Sequence, residues 1–139
     1  MRFIMILLSA LVFLAACQNN AQERTAGADV NSVTTIQWLD SVVDKGTIEE
    51  GQKIEIPFRF KNTGNKPLII QSVQPGCGCT VADYPKQPIA PGKQGVIKGL
   101  FDSNGRSGIN NKSMTVHANT EGRQQHIISF TVNVQKKAG

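Results

Sequence analysis

The sequence predicts an all-β protein, an antiparallel two-sheet sandwich of about seven strands. Three observations lead there. Apolar and polar residues alternate at period two in several segments between residues 33 and 136, and Gly- and Pro-rich turn clusters separate those segments. No stretch has a helical period. Many short strands with frequent turns must bury one face each, and two stacked sheets do that.

The first segment lies outside the sandwich. Arg2 supplies a positive start, and Phe3 to Ala16 is an apolar run broken only by Ser9. The run is short for a bilayer span and has the form of a secretory signal. It ends in Leu14-Ala15-Ala16-Cys17. This box resembles that of bacterial lipoproteins, in which small residues admit the peptidase and the cysteine thiol takes a diacylglycerol. By that resemblance residues 1–16 are a cleaved signal peptide, and Cys17 is the lipid attachment site, acylated with palmitate-type chains. Each buried CH₂ contributes about 0.8 kcal/mol, so three acyl chains hold a protein firmly to a membrane.

Residues 17–32 form the lipidated N-terminus and a tether. Gln18 to Asn31 is rich in Gln, Asn, Ala and Gly, with almost no large apolar residue. Such a segment reaches roughly 20 Å as a coil. Many enteric bacteria retain lipoproteins in the inner membrane through an aspartate after the cysteine. Gln18 stands there instead, which favours the outer membrane, facing the periplasm or the cell surface. The whole chain carries a formal +5. Without Arg2, fourteen Lys and Arg face ten Asp and Glu, about +4, dispersed along strand faces. In an exported chain this balance points to solvated surface and away from nucleic acid.

The strand segments follow in order. Val33 to Trp38 is the first, with Trp38 expected in the core at the sandwich edge. Val42 to Ile48 is the second, broken at Asp44-Lys45-Gly46, and Glu49-Glu50-Gly51 makes the next turn. Ile54, Ile56, Phe58 and Phe60 alternate strictly with Glu55, Pro57, Arg59 and Lys61, the clearest strand signal in the chain. Pro57 has no N–H, so that strand is expected at an edge or interrupted there. Asn62-Thr63-Gly64-Asn65 is a turn cluster in which Gly and Asn tolerate φ > 0, and Leu68 to Val73 is the fourth strand. A loop-rich passage punctuated by Pro85, Pro88 and Pro91-Gly92 follows, with Pro91-Gly92 at the centre of a type II turn. Gly95 to Asp102 is a strand with apolar residues on both faces. Ser103 to Asn111 reads as a loop, and Met114 to Ala118 and Ile128 to Val134 complete the set.

Gln74-Pro75-Gly76-Cys77-Gly78-Cys79-Thr80 is the most distinctive motif. In an oxidising compartment Cys77 and Cys79 form a candidate disulfide, with Gly78 relieving the bend. Two other readings stand beside it: a redox pair, and a soft-metal site using both thiolates. No Cys-x-x-Cys spacing or neighbouring histidine lowers a thiol pKa here. His117 and His126 fall on opposite faces of neighbouring strands. Neither they nor the methionines complete a metal site, and no metal is expected. There is no Gly-x-Ser-x-Gly, His-Glu-x-x-His or phosphate loop. The chain is therefore read as a non-enzyme needing no cofactor beyond the covalent lipid on Cys17. Asp40-Ser41-Val42 resembles the short sites that Bacteroidetes O-glycosylate, making Ser41 a candidate for that modification.

The ordered set Asp44-Lys45-Gly46, Phe58-Arg59-Phe60-Lys61-Asn62-Thr63-Gly64, Leu68-Ile69-Ile70, Gly76-Cys77-Gly78-Cys79-Thr80 and Pro88-Ile89-Ala90-Pro91-Gly92 resembles a known family. It is the domain of unknown function numbered 1573, common in Bacteroidetes lipoproteins and secreted proteins. Its members often carry Phe where this chain has Lys45. The resemblance implies an immunoglobulin-like sandwich of the major sperm protein type, a class of mainly binding or scaffolding modules, and transfers no catalytic residue. The expected function is a lipid-anchored cell-envelope module that binds or scaffolds a protein partner through an exposed sandwich edge or loop surface. The alternative is an envelope thiol-redox or soft-metal-handling protein using Cys77 and Cys79.

Overall fold

The structure, a computed structural model, describes residues 32–137. The signal segment, Cys17 and most of the tether lie outside the described residues. Eight strands are present among them: β1 (Ile36–Trp38), β2 (Val42–Glu49), β3 (Lys53–Asn62), β4 (Ile70–Pro75), β5 (Thr80–Asp83), β6 (Gln94–Asp102), β7 (Gly108–Ala118) and β8 (Gln125–Gln135). They form two four-stranded sheets in the orders β1-β3-β6-β5 and β2-β8-β7-β4. The all-β sandwich expected from the alternation is the fold.

The inward faces follow the period-two pattern. Ile56, Phe58 and Phe60 of β3 are fully buried, as are Met114 and Val116 of β7 and Ile128, Phe130 and Val132 of β8. Phe101 of β6 meets Phe130 of β8 edge-on across the sheets, with centroids 5.6 Å apart. The ambiguity of β6 resolves with Ile97, Gly99 and Phe101 inward and Val96 and Leu100 outward. Inward glycine is needed where large rings fill the layer. A Cβ on Gly95 would overlap the Phe60 ring, and one on Gly99 would come within 3.1 Å of Met114 Cε.

Four local expectations are revised. Strand β3 runs unbroken through Pro57 and is interior in the sheet order, yet β1 covers only Phe60 to Asn62, so Pro57 lies where β3 is locally an edge. Asp44-Lys45-Gly46 does not end β2. It is a bulge, with the Gly46 N–H donating to Asp44 Oδ1 at 2.8 Å and Gly46 at φ +67°. Here β2 pairs with β8 in parallel, the one such pair among the strands. The loop after β6 is shorter than expected, because β7 already pairs from Gly108, opposite Val134, and its polar residues Asn110 to Ser113 stay in the ladder. Finally, a strand, β5, directly follows the cysteines.

The turns match their chemistry at Pro91-Gly92: Gly92 has φ +75° and the Lys93 N–H donates to Ala90 O at 3.1 Å, as a type II turn requires. Gly64 is needed for a different reason from the one expected. Its φ is not in the positive set, but a Cβ there would overlap Thr34 Oγ1 and come within 2.7 Å of the Thr35 nitrogen.

That contact belongs to a buried polar cluster where the chain enters the sandwich. Thr34 Oγ1 donates to Asn62 Oδ1 at 3.0 Å, and Asn62 Nδ2 donates to the Lys66 and Ile89 carbonyls. Asn119 accepts from the Ile69 N–H and donates to the Ser32 and Pro67 carbonyls. Buried backbone groups of irregular segments need such partners.

Candidate functional site

The site is built on the chain between β4 and β5. Strand β4 is the edge of one sheet and β5 the edge of the other, so residues 76–79 carry the chain across the flank of the sandwich. The Gly76 N–H donates to Ser113 O at 2.9 Å, extending the β4–β7 pairing by one residue; a Cβ there would sit 3.2 Å from that oxygen. On the far side the Asp102 N–H donates to Cys79 O at 3.1 Å, and Thr80 pairs with Phe101.

Between these two anchors Cys77 and Cys79 are joined as a disulfide, with Cα atoms 5.4 Å apart. Gly78 is not in the left-handed region, so the bend does not itself demand glycine, contrary to expectation. Instead, apart from the two neighbouring cysteines, nothing lies within 4 Å of a Cβ placed on Gly78. Both cysteines are half-buried, and Thr80 beside them is only 4% exposed. Its hydroxyl lies 3.7 Å from Cys77 Sγ and 3.9 Å from Cys79 Sγ. The bond closes a ring of three residues inside one connection. In the chain-entropy view such a ring contributes about 1.6 kcal/mol, against about 3 for a 15-residue loop. It clips no sheet to the other.

Cys79 and Gly78 line one wall of an open groove of about 490 Å³, floored by Val81 and Leu100, which pair directly across β5 and β6. These two are 62% and 44% exposed. Lys53 and Asp102 form an ion pair of 3.4 Å at its end. The Asp102 carboxyl is held below its ordinary value, first by the Asn104 N–H and then by Lys53. Beyond Val81 the other side of β5 has no strand neighbour.

The other candidates are placed apart from this groove. Trp38 packs on Phe60 and His126 at 5.6 and 5.9 Å, and its buried Nε1 has no hydrogen-bond partner among the described residues. It is a core-edge residue. His126 faces inward opposite Val116, while His117 faces outward beside Arg123 and Gln125, so the two histidines stand on opposite faces. His126 Nε2 lies 2.8 Å from Thr120 Oγ1, whose proton goes to the Arg123 carbonyl; the histidine is therefore the donor. Burial, then the Arg123 charge, lowers its pKa. Ser41 is half-buried just before β2, its carbonyl accepting from the Ser129 N–H. Among the described residues no three His, Cys, Asp or Glu side chains group as metal ligands.

Sequence reasoning reached the cysteine pair but missed β5, Thr80 and the groove. Thr80-Val81-Ala82 before Asp83 and Pro85 was the available signal, a short β-branched stretch closed by breakers.

No curated protein matches the chain. Among solved structures it is similar to a Porphyromonas gingivalis W83 protein of unknown function, at 15% identity and TM-score 0.65 over 79% of this chain. The chain spans 51% of that protein's length. It is also similar to the ASH/PapD-like domain 7 of human CEP192, at 12% identity and TM-score 0.53 over 77% of this chain and 88% of that one. The Vibrio cholerae protease VesB matches at 12% identity and TM-score 0.58, over 72% of this chain but 31% of the protease. At these identities the likeness is one of fold, the immunoglobulin-like sandwich. The family described as Protein of unknown function (DUF1573) matches residues 36–134, from the start of β1 nearly to the end of β8, and the chain belongs to that family.

Proposed function

We propose that the protein is a lipid-anchored module of the cell envelope that docks an extended segment of a partner protein along β5 and acts by binding, with no catalytic turnover. The observation that carries the docking surface is the four-residue edge strand with the apolar pair Val81 and Leu100 beside it. Alternate residues of an edge strand turn their N–H and C=O outward, and an added strand pairs with them while side-chain pockets select the sequence.

The position of this edge, far from where the chain enters the sandwich, suits a module held by its N-terminus. The chain enters the sandwich at Thr34, beside Asn62 and Thr120. Lys53 and Asp102, at the groove, mark the opposite end of β3 and β6. Nine residues of strand separate Asn62 from Lys53, about 30 Å. A chain held by Cys17 through the tether would present the groove away from the membrane. The anchoring, the outer-membrane location and glycosylation of Ser41 are parts of this proposal.

The test places a photoreactive amino acid at Val81, and separately at Ile109 on the other sheet, in cells. A discrete cross-linked product is expected from position 81 and not from position 109. Combining Leu100→Lys with the probe should weaken the product about tenfold, because it removes an apolar contact and adds a desolvation cost. Equal products from both positions would refute the docking surface.

A further inference from the structure

We propose that the Cys77–Cys79 disulfide is a thiol-exchange site that oxidises a dithiol carried by the docked segment. This rests on the docking reading only for what carries the dithiol. The exchange itself is measured with a small dithiol, so either idea can fail alone.

Three observations converge. Cys79 forms part of the groove wall, so a thiol entering there meets one particular sulfur of the pair. Gly78 lines the same wall without a side chain, and apart from its two neighbouring cysteines no atom lies within 4 Å of where a Cβ would stand, so the groove beside Cys79 is unfilled at that point. Thr80 is buried, and its hydroxyl stands within reach of both sulfurs, ready to donate to whichever becomes a thiolate. Hydrogen bonding to the charged form favours that form.

Opening the bond also leaves the connection in place. Gly76 remains held to Ser113, Asp102 to Cys79 O, and the Thr80 N–H to Cys77 O at 3.4 Å. A disulfide that closes so short a loop has the least to contribute as a cross-link. Access, not mere presence, then decides whether it exchanges.

The step balances as follows. One thiol of the partner loses its proton to solvent, and its thiolate attacks Cys79 Sγ. The Cys77–Cys79 S–S bond breaks, and its electron pair leaves on Cys77 Sγ, which accepts a hydrogen bond from Thr80. The partner's second thiolate then attacks the partner sulfur of the mixed disulfide and releases Cys79 as a thiolate. The partner dithiol becomes a disulfide; Cys77 and Cys79 become two thiols, protonated from solvent. Two electrons pass from partner to protein.

The experiment uses the full chain in mild detergent, with dithiothreitol as the dithiol and without denaturant, followed by maleimide mass shifts. The native protein should be reduced under these conditions. Gly78→Val should slow reduction about tenfold by obstructing the attacked sulfur, with an unchanged melting temperature of the oxidised form. Thr80→Val, which keeps the side-chain shape, should slow it as well and raise the pKa of the thiol released. With glutathione disulfide as probe, Cys77→Ser should accumulate a mixed disulfide on Cys79 about tenfold faster than Cys79→Ser does on Cys77. Resistance of the native protein to reduction until it unfolds would overturn the proposal. So would an unaltered rate in Gly78→Val, which needs no cysteine substitution to fold. Reduction as expected together with equal cross-linking from positions 81 and 109 would leave the exchange standing and remove the docked segment as its substrate.

Discussion

Replacing Asn119 with alanine removes three hydrogen bonds at once, and the structure says what each one held. Its Oδ1 accepts from the Ile69 N–H at 2.7 Å, and its Nδ2 donates to Ser32 O at 2.8 Å and Pro67 O at 3.0 Å. The residue is 3% exposed, so water does not readily replace it. Ser32, Pro67 and Ile69 are themselves half-buried, so each stripped group regains part of its hydration. A fully buried polar group without its partner costs about 1–3 kcal/mol, and three such groups partly rehydrated predict a loss of about 2–4 kcal/mol. For a domain of this size that corresponds to a fall of roughly 10–25 °C in melting temperature. The assay is urea unfolding of the chain carrying Cys17→Ser, followed through the single tryptophan, Trp38, which sits in the same end of the core. Asn119→Asp should be no better: it keeps the acceptor for Ile69 but turns a carboxylate oxygen toward two carbonyls. Asn104→Ala, on an exposed turn, should shift stability by less than about 0.5 kcal/mol. A loss below about 1 kcal/mol in Asn119→Ala would show that the cluster relaxes or hydrates freely, and the reasoning would fail.

Further outcomes follow from the same geometry. Gly64→Ala should cost about 2–3 kcal/mol in the same unfolding assay, because the Thr35 backbone nitrogen cannot move aside as a side chain would. Gly95→Ala should cost about 1–3 kcal/mol through the fully buried Phe60 ring. His126 has its pKa lowered from 6.5 in the folded state, so the unfolded chain binds the proton more readily. Its stabilising contribution is complete above about pH 6.5 and is lost as pH falls through the lowered folded value. A stability–pH curve should slope downward on the acid side of that point, and His126→Gln should flatten it. Labelling with a palmitate analogue in the native host should disappear in Cys17→Ala; persistent labelling would remove the lipid anchor from the proposal.

Much of the sandwich is legible because a half-buried strand writes its geometry locally. Ile54 to Lys61 alternates so strictly that its inward residues are read directly, and the burial of Ile56, Phe58 and Phe60 follows. Pro91-Gly92 is legible for the same reason, since φ preferences act within one turn. Strand β5 is harder to read. Four residues do not establish a period, and Thr80 to Asp83 becomes a strand only because β6 offers a free side at Phe101 to Lys98. The roles of Asn62 and Asn119 are invisible in one dimension, because most of their partners lie 27 to 87 residues away.

The sequence by itself determined the fold class, the inward and outward face of the long strands, and the cysteine pair as the place to look. Side-chain alternation encodes which face meets the core, and that is a property of each segment alone. Only the tertiary structure decided which strand lies beside which: β2 running parallel to β8, β4 and β5 ending up on opposite sheets, and the disulfide spanning the flank between them beside Val81 and Leu100. Pairing is chosen by hydrogen-bond partners and packing across the whole chain, and backbone N–H and C=O groups are the same in every residue but proline. The groove exists because β3, β6 and β5 lie side by side with residues 78 and 79 at their rim, which no single stretch of sequence contains.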